Sequence, residues 1–203
     1  MDFVSGLEIV PEKSVLCIEE ITGNTKSLFA SLVASEQGTK GIAVNYLTLR
    51  NREEVHKQIE QLRMKVPDKL HVITLSPQNS AQDVISLIYE PEIPLIIIEA
   101  FSVFFSEYSF SDLYTLMFRM ISASQNGTTF LLLVDKGVLP ERHENLVRAM
   151  ADGVIEFTII PEGDKLKHYI HIPKMRGMFP LDKMLPFTVN EEGLLIDTRE
   201  RHG

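Results

Sequence analysis

One cysteine, Cys17, occurs in this chain of 203 residues, so no internal disulfide can form, and a reducing cytoplasm is the compartment that fits. Positive charge is also scarce. Twenty Lys and Arg stand against 28 Asp and Glu, a net charge of -8, which argues against a general binder of nucleic acid or anionic membrane. No apolar run is long enough to span a bilayer. The longest, Ile93 to Phe105, is broken by Pro94 and Glu99, so membrane insertion is not expected. The first residues, Met-Asp-Phe-Val-Ser-Gly, lack the basic-then-apolar pattern of a signal peptide. Internal repeats, low-complexity tracts and linkers are missing too, which favours a single domain over residues 1–203. The histidines are scattered, and His168 and His171 lie three apart on a strand, hence on opposite faces. That spacing and the lack of a Cys/His cluster argue against thiolate or imidazole metal chemistry. Spacing offers no Ser/His/Asp arrangement either.

What is present centres on Val15 to Val33. A short apolar run, Val15 to Ile18, meets a polar turn and then a helical pattern with Leu28, Leu32 and Val33 on one face. Strand, turn and helix form the context of a phosphate-binding loop, because a helix N-terminus presents free N–H groups to an anion. Set against G-x-x-x-x-G-K-[ST], the window is Glu20-Ile-Thr-Gly-Asn-Thr-Lys-Ser27. Both defining glycines are replaced, by Glu20 and Thr25, and Gly23 remains between them. Glu20 brings a negative charge to a cradle for anions, and Thr25 puts a β-branched side chain where a wrapped loop has least room. Thr22, Gly23, Asn24, Thr25, Lys26 and Ser27 are thus a vestigial phosphate loop, in which Lys26 can still serve a phosphate and Ser27 a magnesium ion. Taken alone, the same window also reads as a strand and an ordinary helix, N-capped by Thr22, Asn24 or Thr25, with Lys26 in solvent.

Downstream, apolar runs alternate with helical patterns. Strands are expected at Ile42 to Leu47, Leu70 to Leu75, Leu95 to Ile98 and Thr128 to Val134. Helices are expected over Asn51 to Met64, Ala81 to Tyr89, Phe110 to Ala123 and Pro140 to Met150. From Gly153 the character changes. Gly153 to Ile160, Leu166 to Pro173 and Phe187 to Ile196 read as strands joined by short turns. The fold class is therefore α/β: a mostly parallel twisted sheet with helices on both faces and antiparallel strands at the C-terminal end. Leu95 to Ile98 is expected at its centre, with Val15 to Ile18 beside it. Both then bring Gly23 and Glu99 to one crevice at the strand ends.

Two further segments carry candidate chemistry. Glu99 ends the most hydrophobic strand, where P-loop proteins place the acid that holds magnesium; alternatively it is a carboxylate reaching solvent. Lys174-Met175-Arg176-Gly177 puts two cations on one side of an extended segment. They suit a phosphate, or equally a charged, solvated edge strand.

Together these pieces resemble the KaiC-like branch of the RecA superfamily of P-loop ATPases, with its archaeal FlaH-like members. The resemblance runs from a lead-in at Gly6 through Glu20 to Ser27, Leu95 to Glu99 and Asn126 to Val134. It continues through Ala151-Asp-Gly-Val-Ile155, Lys174-Met-Arg-Gly177 and the tail from Pro186 to Ile196. It implies a RecA-like fold and a nucleotide site, with Ser27 and Glu99 holding magnesium if nucleotide binds. It also implies Lys174 and Arg176 as residues acting in trans on a neighbouring subunit. The family strand that ends in two glutamates resembles Ile42 to Leu49. Here it continues into Arg50-Asn51-Arg52, with no carboxylate before Glu53 and Glu54. The expectation is a hydrolysis-deficient protein that requires no cofactor and binds ATP and Mg²⁺ weakly at most. It would act as a non-catalytic signalling or assembly partner, in a homo-oligomer or with an active KaiC-like paralogue, without nucleic acid. The alternative is a slow ATP-binding and ATP-hydrolysing enzyme of the same family.

Overall fold

The computed structural model describes residues 10–21, 23–76, 81–88, 93–178, 183–190 and 193–196. Six strands run parallel: β1 (Val15–Glu20), β2 (Val44–Thr48), β3 (Leu70–Thr74), β4 (Leu95–Ile98), β5 (Thr129–Asp135) and β6 (Gly153–Glu162). Three antiparallel strands extend the sheet: β7 (Lys165–Met175), β8 (Leu185–Asn190) and β9 (Gly193–Ile196). The order across the sheet is β3-β2-β4-β5-β1-β6-β7-β8-β9. The helices are α1 (Thr25–Thr39), α2 (Arg52–Gln61), α3 (Ala81–Ile88), α4 (Phe101–Phe104), α5 (Phe110–Gln125) and α6 (Glu141–Met150).

Apolar residues on both faces of the parallel strands dictate two helical layers. On β1, Leu16 and Ile18 join the core under α1 and α2, while Val15 and Cys17 face the core under α3 to α6. Such two-sided burial is what a parallel sheet requires, because each crossover helix must cover one face. Two helices, α2 and α5, start where the sequence supplies caps. Asn51 accepts from the Glu54 backbone while Glu54 bonds back to Asn51, and Ser109 accepts from Asp112.

Three expectations change. β1 and β4 are not neighbours: β5 lies between them, its side chains buried on both faces from Thr129 to Val134, as a central strand demands. Phe187 to Ile196 is not one strand but the hairpin β8–β9, pairing Phe187 with Ile196. The short α4 was not foreseen; it sits inside the apolar run that follows Glu99, where Phe101 and Phe105 stack at 4.8 Å. Gly153 explains itself by close approach, since a Cβ there would meet the Met175 sulfur and Leu16. The lead-in from residue 6 to 9 and Thr22 lie outside the described residues. Among the described residues no helix is long and apolar enough to cross a membrane.

Candidate functional site

Side chains alternate along a strand, so residues of equal parity share a face. Leu16 and Ile18 on β1, Leu95 and Ile97 on β4, and Leu131 and Leu133 on β5 all lie under α1 and α2. The next residue of that parity on each strand is an acid: Glu20, Glu99 and Asp135. Because β4, β5 and β1 are successive parallel strands, the three carboxylates gather at one edge, beside the N-terminus of α1. Glu99 and Asp135 line an open cleft of about 300 Å³ together with Asn24, Lys26, Ser27 and Arg50, and Glu20 reaches it only through Lys26. Ligands gather at this edge of open α/β sheets.

Lys26 is buried, at 5% exposure, and is not the solvated lysine of an ordinary helix. Its Nζ lies 2.7 Å from Asp135 Oδ1 and 4.0 Å from Glu20 Oε2. Asp135 is in turn fixed by Ser102 of α4, whose hydroxyl lies 3.2 Å from Oδ2 and accepts the Asp135 N–H. Burying the ammonium is tolerable because two carboxylates face it.

Glu20 is 2% exposed. Its Oε2 accepts the backbone N–H of Lys26 at 3.2 Å. Helix α1 makes no side-chain cap at Asn24 and carries no acid in its own first turn, so this carboxylate supplies the anion that its N-terminus lacks. Gly23 adopts φ +145°, and a Cβ on it would overlap Glu20 Oε1. The retained glycine therefore makes room for the carboxylate beneath it.

Arg50 follows β2 and lies over Glu99. Its Nε is 3.1 Å from Glu99 Oε2 and its Nη2 is 2.6 Å from Oε1, a two-pronged ion pair. Arg50 also donates to Gln58 and, at 3.3 Å, to the Tyr46 hydroxyl. Tyr46 and Thr48 both donate to Glu99. Burial works against the Arg50 charge, yet Tyr46 and Glu99 outweigh it and raise the guanidinium pKa. Burial, and then the Glu99 charge, push the Tyr46 phenol far up, so it stays a donor.

On the opposite face of β1, Arg148 of α6 binds Glu19 at 2.7 Å and Glu144 at 3.2 Å, and Glu144 accepts the Gly137 N–H at 2.6 Å. Burial and the neighbouring Glu19 carboxylate push the Cys17 thiol up. This network anchors α6 and does not reach the cleft.

Lys174 is exposed near the end of β7 and Arg176 is exposed just beyond it, with Met175 buried between them. They do not point at open solvent awaiting an acid. Lys174 Nζ donates to the carbonyls of Arg148 and Ala149, at 3.3 and 2.8 Å, completing the C-terminus of α6. Arg176 pairs with Asp152 at 3.3 Å and donates to the carbonyls of Glu12 and Lys13. Those contacts lie before β1, at the end opposite Glu20. The six residues of β1 separate the two ends by roughly 20 Å. Within one chain the pair cannot reach the cleft.

At the cleft, the Glu20 carboxylate accepts at the N-terminus of α1, and the Glu99 carboxylate is held by the Arg50 guanidinium. Among the described residues no group of three or more His, Cys, Asp or Glu could hold a metal ion.

No protein-family model matches the chain, and no curated protein matches it. Among solved structures it is similar to the flagellar accessory protein FlaH from Methanocaldococcus jannaschii. The TM-score is 0.78 at 19% sequence identity, over 93% of this chain and 91% of that one. The two share a fold. It is the RecA-like α/β architecture: a mostly parallel sheet between helices, extended by C-terminal antiparallel strands.

Reading the sequence missed Asp135 and Arg50. The signal for Asp135 was there, since Leu-Leu-Leu-Val-Asp ends on the same parity as Leu-Ile-Ile-Ile-Glu. Arg50 gave no signal, because only the fold brings the end of β2 against the end of β4.

Proposed function

We propose that this chain is a KaiC-like member of the RecA superfamily that no longer hydrolyses ATP and serves as a non-catalytic assembly or signalling partner in the cytoplasm. One observation carries the reading: the Arg50 guanidinium grips Glu99, the acid that would have to hold a catalytic magnesium ion. The Arg50 fork and the Tyr46 and Thr48 hydroxyls together place two donors on each Glu99 oxygen, so a metal would have to displace one of them. The end of β2, which in the family carries the glutamates that polarise water, supplies that arginine instead. A slow ATPase, the rival reading, draws support from Lys26, Ser27 and Glu99 lining one cleft. It requires Arg50 and Glu20 both to move away.

The partner role draws support from the surface. Phe110, Tyr114 and Phe118 stand at i, i+4 and i+8 on α5 and are all exposed, a stripe of the kind that marks protein contacts. Lys174 and Arg176 lie at the far end of β1 from their own cleft, so any acid or phosphate of a cleft that they met would belong to another subunit. Their contribution is that of exposed charges, about 0–1 kcal/mol, which orients an assembly more than it drives one. Light scattering across protein concentration tests this. The expected result is an oligomer, of this chain or with an active paralogue, that forms equally with and without Mg-ATP. It should weaken several-fold in Lys174→Glu/Arg176→Glu and as salt screens the charges. A strict monomer with every candidate partner, or assembly that requires ATP, contradicts the proposal.

A further inference from the structure

We infer that the phosphate loop is already an occupied anion site, and that its ligand is the chain's own Glu20 carboxylate. The inference rests on reading this cleft as a lapsed nucleotide site and adds what closed it. Four observations converge. The carboxylate is almost wholly buried, although Glu20 ends a strand from which it could reach solvent. It accepts the Lys26 N–H at the N-terminus of the 15-residue helix α1, the group that a phosphate oxygen takes in such loops. The Lys26 ammonium lies 4.0 Å from the same oxygen. The second oxygen, Oε1, is buried under Gly23 with no hydrogen-bond partner among the described residues, so it is aimed into the loop.

This changes the meaning of losing the first glycine of the motif. A glutamate at that position does more than repel an incoming phosphate. It places a tethered anion in the cradle, where it cannot diffuse away. The tether makes its effective concentration far higher than that of any free ligand, so an external phosphate must displace it at a disadvantage. The same contact completes the N-terminus of α1, which lets the loop stay closed without nucleotide. Phosphate loops of this fold otherwise depend on a bound phosphate to satisfy those N–H groups. Asp135 adds a second internal counter-charge on Lys26, and Arg50 a third element by neutralising Glu99. The two cations, Lys26 and Arg50, thereby meet three carboxylates, which leaves no unmatched positive charge for an external phosphate.

The test is isothermal titration of inorganic pyrophosphate, in magnesium-free buffer, into wild type, Glu20→Ala and Glu20→Gln, with melting curves recorded in parallel. Wild type is expected to show no saturable binding and no rise in melting temperature. Glu20→Ala, with the cradle vacated, is expected to bind at least about tenfold more tightly, and Lys26→Ala in that background to abolish the gain. Glu20→Gln keeps an acceptor for the Lys26 N–H but loses the charge, so it should fold in any case and show a smaller gain. Saturable binding to wild type equal to that of Glu20→Ala would overturn the inference. So would a folded Glu20→Ala that binds no better than wild type; should Glu20→Ala fail to fold, a folded Glu20→Gln with no gain is decisive. Pyrophosphate binding by wild type without ATP turnover would sink the self-occupied loop alone, whereas turnover would sink the non-catalytic reading.

Discussion

Phe157→Ala is expected to cost about 3–5 kcal/mol. Phe157 is 2% exposed and lies on β6 between two other rings. The Phe29 ring of α1 is 5.7 Å away at 57°, and the Phe187 ring of β8 is 5.5 Å away at 71°. These tilted and edge-to-face geometries are the favourable ones for aromatic pairs. The row ties the helix that follows the phosphate loop to the C-terminal hairpin across β6. Truncation would remove the transfer free energy of the ring and leave a cavity that two neighbours on different elements cannot both close. Phe157→Leu keeps most of the volume and should cost about 1 kcal/mol. Urea unfolding of the two variants checks this. A loss below about 1 kcal/mol for the alanine variant would show that the hairpin is not held through this row.

Arg50→Ala comes next, with an expected loss of about 1–3 kcal/mol. A fully buried ion pair broken on one side costs about 3–5 kcal/mol, because the remaining charge is stranded. The Arg50 side chain is 30% exposed and that of Glu99 10%, so solvent screening reduces the figure. What remains is still substantial, since Glu99 would keep only the Tyr46 and Thr48 hydroxyls. Arg50→Lys preserves the charge but not the fork, and should recover less than half of the loss. The decisive control is the double variant Arg50→Ala/Glu99→Gln. Once the stranded charge is removed, most of the stability should return, giving a coupling of about 1–2 kcal/mol. Additive losses would mean that Arg50 acts through Gln58 and packing alone.

The α/β class, five of the parallel strands and the antiparallel end were legible because apolar runs of strand length alternate with helical spacing. Gly153 to Ile160 was read as part of the hairpin tail, yet β6 pairs with β1 in parallel. The position of β5 was not, since nothing in Thr129 to Asp135 states which strands flank it. The hairpin β8–β9 was read as one strand because Phe187 to Val189 and Leu194 to Ile196 are both apolar, and periodicity alone does not mark the turn. At the site, the strand–loop–helix window, Glu99 and Gly23 were legible from motif and position. Their state was not. Whether Lys26 is solvated or buried depends on Asp135 reaching it from another strand, and whether Glu99 is free depends on Arg50, 49 residues earlier. Glu20 was visible as a charge in the wrong place. Only its burial against the Lys26 N–H turns repulsion into occupation.

The proposed loss of hydrolysis is tested most directly by phosphate release from Mg-ATP, measured for wild type beside Lys26→Ala at equal protein concentration. The expected result is that the two are indistinguishable from each other and from buffer. Turnover by wild type that Lys26→Ala abolishes would contradict it, and would mean that Arg50 and Glu20 withdraw to admit the nucleotide.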